Sequence, residues 1–140
     1  MSKFTPEEIV YFQSQHFGRL ATVSPKGELH IATVTFDYNA LEDSIDISGY
    51  NMTATKKYRD AISHGRVAFL IDDILPSGQA RVVEIRGRAE AVPGSGNEIK
   101  TMYTRELLRI RPMRIVTFGL DDTSTLQDRI RGIFSSRNVE

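Results

Sequence analysis

The chain has 140 residues, room for one domain with a sizeable core, and carries no cysteine, which excludes disulfides and thiolate zinc sites. Its 18 Lys and Arg balance 18 Asp and Glu, so no net field draws it to nucleic acid or to an anionic membrane. The three histidines lie far apart in sequence, without the close pairing of a helical zinc motif, so no metal is expected.

Thr5-Pro6-Glu7-Glu8 reads as a helix start, with Thr5 as N-cap, Pro6 at N1 and Glu8 at N3. This places an N-terminal helix within residues 1–16, running to about Gln15, with Ile9 and Phe12 on its packing face. Phe17 to Val23 reads as a strand, stopped by the turn Ser24-Pro25-Lys26-Gly27. Leu29 to Tyr38 is β-branched and aromatic and should return as the second arm of a hairpin. Asn39 to Asp43 turns again. Ser44 to Ser48 alternates Ile45 and Ile47 with polar residues, the pattern of a half-buried strand.

A helix follows, started by a Thr N-cap at Thr53 or Thr55 and stopped by Gly65 after His64. His64 suits the negative end of its dipole. The other end is unusual: a first turn normally carries Asp or Glu, yet this one carries Lys56 and Lys57. Either the two side chains bend into solvent, or an anion such as phosphate sits on the exposed N–H groups and uses both ammonium groups.

Arg66 to Ile71 is a nearly continuous apolar strand that should end at Asp72-Asp73, and Pro76-Ser77-Gly78 marks a loop. Arg81 to Val92 is a long strand with Val83, Ile85 and Gly87 on one face and Val82, Glu84, Arg86 and Arg88 on the other. Pro93 to Asn97 is a loop, and Glu98 to Tyr103 is ambiguous. Leu107 to Ile110 and Met113 to Gly119 read as two strands broken at Pro112. Leu126, Ile130, Ile133 and Phe134 are spaced as on an amphipathic helix, which places a C-terminal helix at 123–136. The expected fold is mainly β: a single antiparallel split β-barrel domain over 1–140, of six to seven strands with a few flanking helices.

Six segments in this order carry a resemblance: Phe17 to Val23, Gly27 to Phe36, Asp46 to Tyr50, Thr55 to Arg59, Arg66 to Phe69 and Val83 to Glu90. They resemble the pyridoxamine 5′-phosphate oxidase-like split β-barrel family of flavin and deazaflavin oxidoreductases. Ile110 to Asp121 is similar to the late segment of the small actinobacterial-type branch described as dependent on coenzyme F420. The resemblance spans roughly Ile9 to Asp121. It implies that Thr55, Lys56 and Lys57 grip the cofactor phosphate. It also implies that the backbone of Ala32, Thr33, Val34 and Thr35 lies along the polar edge of the ring, reading its carbonyls and N–H without a particular side chain. Tyr50 and Asn51, just before the phosphate helix, line the ring or the ribityl chain in this reading. Simple strand packing for Ala32 to Thr35, and turn packing for Tyr50 and Asn51, are the structural alternatives.

The chain departs from true pyridoxamine phosphate oxidases, which have Arg and Lys where it has Ala32 and Asp37, and a flavin-contacting Gln where it has Val82. Vitamin B6 oxidation is therefore not expected. Asp60 stands where many deazaflavin members have Asn. It must point away from a phosphate or pair with Lys56 or Lys57.

The implied activity is hydride transfer between a bound deazaflavin, coenzyme F420, and a small electrophile such as a conjugated carbonyl, with no catalytic side chain identified. FMN is the alternative cofactor, supporting a flavin reductase or oxidase. A carrier or sensor without turnover, and a haem-binding barrel, are the non-catalytic alternatives. The implied assembly is a homodimer with cofactor sites at the subunit interface. Glu84, Arg86 and Arg88 either form a solvated ion-paired face or lie at that interface. Arg109, Arg111 and Arg114 either bind an anionic tail or protect an exposed edge strand. His30 reads as an ordinary half-buried histidine, or as a proton donor or haem ligand. No apolar run reaches membrane-spanning length and the first eight residues lack a signal-peptide core, so no membrane association and a cytoplasmic location are expected.

Overall fold

The computed structural model describes residues 1–48, 55–92, 106–120 and 134–140. Helix α1 (Pro6–Ser14) starts as its sequence dictates. The Thr5 side chain accepts from the Glu8 N–H, and the Glu8 carboxylate accepts from the Thr5 N–H at 2.9 Å. The strands β1 (Phe17–Val23), β2 (Leu29–Asn39), β3 (Ser44–Ser48), β4 (Arg66–Ile74), β5 (Ala80–Val92), β6 (Leu107–Phe118) and β7 (Ser135–Asn138) form one sheet. Their order is β3-β2-β1-β4-β5-β6-β7, all antiparallel, and a further β3–β6 pairing closes six of them into a barrel. Helix α2 (Lys56–His64) lies between β3 and β4 in the chain and packs on β1 and β5.

Alternation decides what fills the barrel. Leu20, Val34, Phe36, Ile45, Ile47, Phe69, Ile71, Val83, Ile85, Leu108, Ile110 and Ile115 are buried, one parity on each strand except β6, where the parity switches between Ile110 and Ile115, and Phe36 meets Phe69 edge to face at 5.2 Å. A second aromatic group beneath α1, Phe4, Phe12 and Tyr38, closes one side. Polar locks hold α1 in place. Arg137 of β7 donates twice to the buried Glu8 carboxylate, at 2.8 and 2.7 Å. The Tyr11 hydroxyl donates to Asp73, which also takes a two-pronged contact from Arg81 at 2.9 and 2.6 Å.

Four expectations change. The strand after α2 does not end at Asp72-Asp73; β4 runs on to Ile74, because Asp73 stands directly opposite Arg81 and their ion pair extends the hairpin. Pro112 does not break the late strand. It faces Gly87 across a bulge that leaves Met113 without a β5 partner, and the strand resumes at Arg86↔Arg114. Gly87 is needed there, since a Cβ would collide with the Arg111 carbonyl. β3 is buried on both faces rather than half buried: Asp46 is 6% exposed because β6 pairs along it and supplies Arg109. The helix expected at 123–136 lies outside the described residues as far as residue 133, and its last two positions, Ser135 and Ser136, open strand β7. There Val139 N–H also donates to the Met113 carbonyl at 2.9 Å, continuing the sheet edge past the bulge.

Candidate functional site

Two features of the fold share β1 as their floor. The first is the edge of β2. All of Leu29 to Thr35 pairs with β1 on one side, but the β3 ladder on the other side begins only at Thr35↔Ser48. Residues 29–34 therefore have no strand on that second side among the described residues, and backbone N–H and C=O groups along it are open to a planar polar ligand. Within this stretch Val34 points into the core and Ala32 packs against it, while Thr33 and Thr35 are exposed. Thr35 Oγ1 donates to the Ser48 carbonyl at 3.1 Å, which ties β3 to the start of the open stretch.

The second feature is the start of α2. Thr55 is the N-cap, its hydroxyl accepting from the Tyr58 N–H at 3.3 Å, and the first turn contains no acid. Gly65 ends the helix with φ of 83°, a left-handed conformation suited to glycine, and its N–H donates to the Ala61 carbonyl. Ala61 is fully buried and Tyr58 packs against the core, so the helix end is held by packing rather than by charge. The two lysines separate here. Lys56 donates to Asp60 at 3.0 Å, and Asp60 is buried. Lys57, half buried, has no carboxylate partner among the described residues. Tyr50 and Asn51, expected to line the ring, lie outside the described residues.

The arginines of β6 have a different fate from the one expected. Arg109 makes a two-pronged contact to Asp46 at 2.9 and 3.0 Å, and Arg111 reaches Glu42 and Glu90. Burial alone would raise the Asp46 carboxyl, but hydrogen bonds from Arg109, Asn39 and Ser44 hold it below the usual carboxylate value. Arg114 bonds the neutral side chains of Asn138 and Ser136. Two of the three are thus neutralised within the fold. The exposed-edge reading fails as well, because β6 is flanked by β5 on one side and by β3 and β7 on the other. Glu84 and Arg86 form an ion pair at 3.0 Å, and Arg88 approaches Glu140 at 3.4 Å.

His16, His30 and His64 are all exposed and on separate elements, which corrects the half-buried reading of His30 and weakens the haem alternative. Among the described residues no three His, Asp or Glu side chains are grouped to hold a metal ion, and no helix is long and apolar enough to cross a membrane. Among the described residues open clefts lie elsewhere, including about 320 Å³ beside α1 at Tyr11 and Arg81, about 500 Å³ at Arg66, Arg86 and Arg114, and about 380 Å³ at Tyr38, Asp46 and Leu107. None of these includes Lys56 or Lys57. The barrel's outer face places Leu29 and Ile31, 80% and 71% exposed, in register with Val23 and Ala21.

Known proteins match this architecture. A curated 5a,11a-dehydrotetracycline/5a,11a-dehydrooxytetracycline reductase of Streptomyces rimosus is 40% identical over 125 residues, covering 87% of this chain and 88% of that one. The structure of an FAD-binding protein from Mycobacterium smegmatis superposes with a TM-score of 0.60 at 21% identity, covering 81% of this chain and 94% of that one. That of an F420 reductase gives a TM-score of 0.59 at 21% identity, covering 79% and 98%. The two superpositions speak to fold, and the sequence match to lineage. With the pyridoxamine 5′-phosphate oxidase family model matching residues 5–121 as well, the chain belongs to the pyridoxamine 5′-phosphate oxidase family of oxidoreductases.

Proposed function

We propose that the chain is a coenzyme F420-dependent reductase acting on a C=C bond conjugated to a carbonyl in a small organic substrate. The observation that carries this reading is the start of α2, where an N-cap Thr55, the first-turn N–H groups and Lys57, without a carboxylate partner among the described residues, stand in place of the usual acidic first turn. The stretch of β2 from Ala32 to Val34, with no strand on its second side among the described residues, and the adjoining Thr35 fit the polar edge of a deazaflavin ring. Tyr50 and Asn51 fall in the seven-residue step from Ser48 to Thr55, between these two features in the chain. Thr55 and Lys57 would hold the phosphate end, while Lys56 beside them is paired with Asp60.

When bound, the reduced deazaflavin would supply the hydride. It would add at the β-carbon of the conjugated bond, the electron pair would move to the carbonyl oxygen, and a proton from water would complete the α-carbon. The choice of a C=C bond follows the similarity to the 5a,11a-dehydrotetracycline reductase, since a dehydro name denotes such a bond. The protein's part is to orient both rings and exclude water. One barrel offers only an edge, so a second copy is proposed to complete the pocket. The exposed Leu29, Ile31 and Phe17 on the β1–β2 outer face suit such a homodimer, since an apolar patch on a strand face favours association.

FMN is the second reading, because it too carries a single phosphate on its ribityl chain, and the features above fit both. Parallel titration of the purified chain with coenzyme F420 and FMN tests both. Binding of F420 at micromolar or lower concentration, with substrate-dependent oxidation of the reduced form, is the expected result. Preference for FMN replaces the cofactor. Tight binding without turnover of any conjugated carbonyl makes the chain a carrier, and binding of neither overturns the oxidoreductase reading.

A further inference from the structure

We propose that Asp60 is a positioning residue that withdraws Lys56 from the anion site and leaves the phosphate grip to Lys57 and the helix end. The inference rests on the phosphate reading of α2 given above. Its basis is an asymmetry between two adjacent lysines that composition alone treats as equivalent.

Asp60 lies four residues after Lys56, on the same helix face one turn further along. Its side chain is 7% exposed and accepts from Lys56 Nζ at 3.0 Å, whereas the Lys56 side chain is 48% exposed. A buried carboxylate that loses its partner bears a large desolvation cost, so the aspartate holds the lysine more firmly than a surface pair would. Four residues correspond to a rise of about 6 Å, so the pairing draws the Lys56 ammonium down the axis, away from the first-turn N–H groups where an anion binds. The pair is also neutral as a unit. Lys57, about 100° round the helix, meets Ala61 at the i+4 position and has no such restraint. Arg59, in the second turn, is exposed and also lacks a carboxylate partner among the described residues, so the field at the helix end stays positive without Lys56.

The division of labour makes distinct predictions for the two lysines. Lys56→Met alone would leave Asp60 buried and unpaired, and that variant could fail through folding. The informative variant is therefore the double replacement Lys56→Met with Asp60→Asn, which removes both charges together. Each variant is titrated with whichever of F420 and FMN the parent binds, and with the phosphate-free form of the same compound, the deazaflavin riboside or riboflavin. A general structural effect would move both ligands; an effect on the phosphate moves only one.

Lys57→Met should lose about tenfold or more for the phosphate-bearing ligand, as for a charge-assisted contact, with the phosphate-free form unchanged. The double variant should stay within about twofold of the parent for both ligands, because a neutral unit has been exchanged for a neutral unit. Asp60→Asn should bind the phosphate-bearing form about threefold or more tightly, because it removes a nearby negative charge and releases Lys56. A double variant that loses as much as Lys57→Met, with the parent preferring the phosphate-bearing form, overturns this inference alone. So does an Asp60→Asn variant selectively weakened for that form. A parent that binds both forms equally, or neither, overturns the phosphate reading and this inference with it.

Discussion

The basic residues of β6 and those of α2 look alike in the sequence and behave oppositely in the fold. Arg109 and Arg111 each find a carboxylate, one of them the buried Asp46, and become part of the barrel's closure. Lys57, in the first turn of α2, finds none among the described residues, and only its neighbour Lys56 is neutralised. A run of cations thus reports a ligand site only where the fold supplies no anion of its own. The β6 arginines sit where three strands meet, and neighbouring strands bring acids. The α2 lysines sit in the first turn of a helix, where the one acid that meets them, Asp60, comes from the helix itself.

The largest expected effect tests the closed side of this contrast. Arg109→Met leaves Asp46 buried without its main partner, and the cost by urea denaturation should be about 3 kcal/mol or more. A loss below about 1 kcal/mol, the scale of an exposed pair, would show that the knot is not structural. Next comes the open side. Lys57→Ala should lower affinity for the phosphate-bearing cofactor by ~1.5–3 kcal/mol, the scale of a hydrogen bond to a charged group. Its urea midpoint should match the parent's, because Lys57 has no carboxylate partner to strand among the described residues.

Thr55→Ala should be intermediate, costing about 1 kcal/mol of stability through the lost cap and also weakening cofactor binding. Stability without any change in binding would show that the cap serves the helix alone. The acid response sharpens the comparison further. Asp46 and Asp73 both have folded values below the usual carboxylate value. For Asp73 the chief cause is the hydrogen bond from Arg81, with a further one from Tyr11, whose own hydroxyl is pushed up mainly by burial. Stability from such groups is present above the unfolded carboxylate value of about 4 and is lost as pH falls through the lower folded values. The urea midpoint should therefore drop on acidification below about pH 4. An Asp46→Asn/Arg109→Met double variant should drop less steeply, and an equal slope would remove Asp46 from the account. The smallest effect belongs to Arg114→Met. It should change stability by less than about 1 kcal/mol, since its partners Ser136 and Asn138 are neutral, exposed and left able to reach water.

Local chemistry made much of the molecule legible in advance. The Thr5 box, the Gly65 stop, the turn at Ser24 to Gly27 and the alternation in β5 each rest on contacts within a few residues, and each stands in the structure as read. The errors share one cause. Asp72-Asp73 reads as a strand end until Arg81 faces it, and Pro112 reads as a break until Gly87 lets a bulge pass it. Asp46 reads as a wet strand residue until β6 lays Arg109 beside it. In every case the deciding partner lies on another strand, at a separation no local pattern reports.

The candidate site divides along the same line. The sequence by itself determined that a helix begins near Thr55 with the wrong charge for its dipole, because caps, stops and first-turn preferences act over a handful of residues. It also determined that Ala32 to Thr35 lie in a strand. Only the tertiary structure decided that Ala32 to Val34 have no strand on their second side among the described residues, that Lys56 pairs with a buried Asp60 while Lys57 finds no carboxylate among the described residues, and that Arg109 and Arg111 of β6 are already neutralised. Burial and pairing set whether a charge is available, and both depend on which strands and helices meet: β3 closing on β6 for the arginines, and α2 packing on β1 and β5 for the lysines.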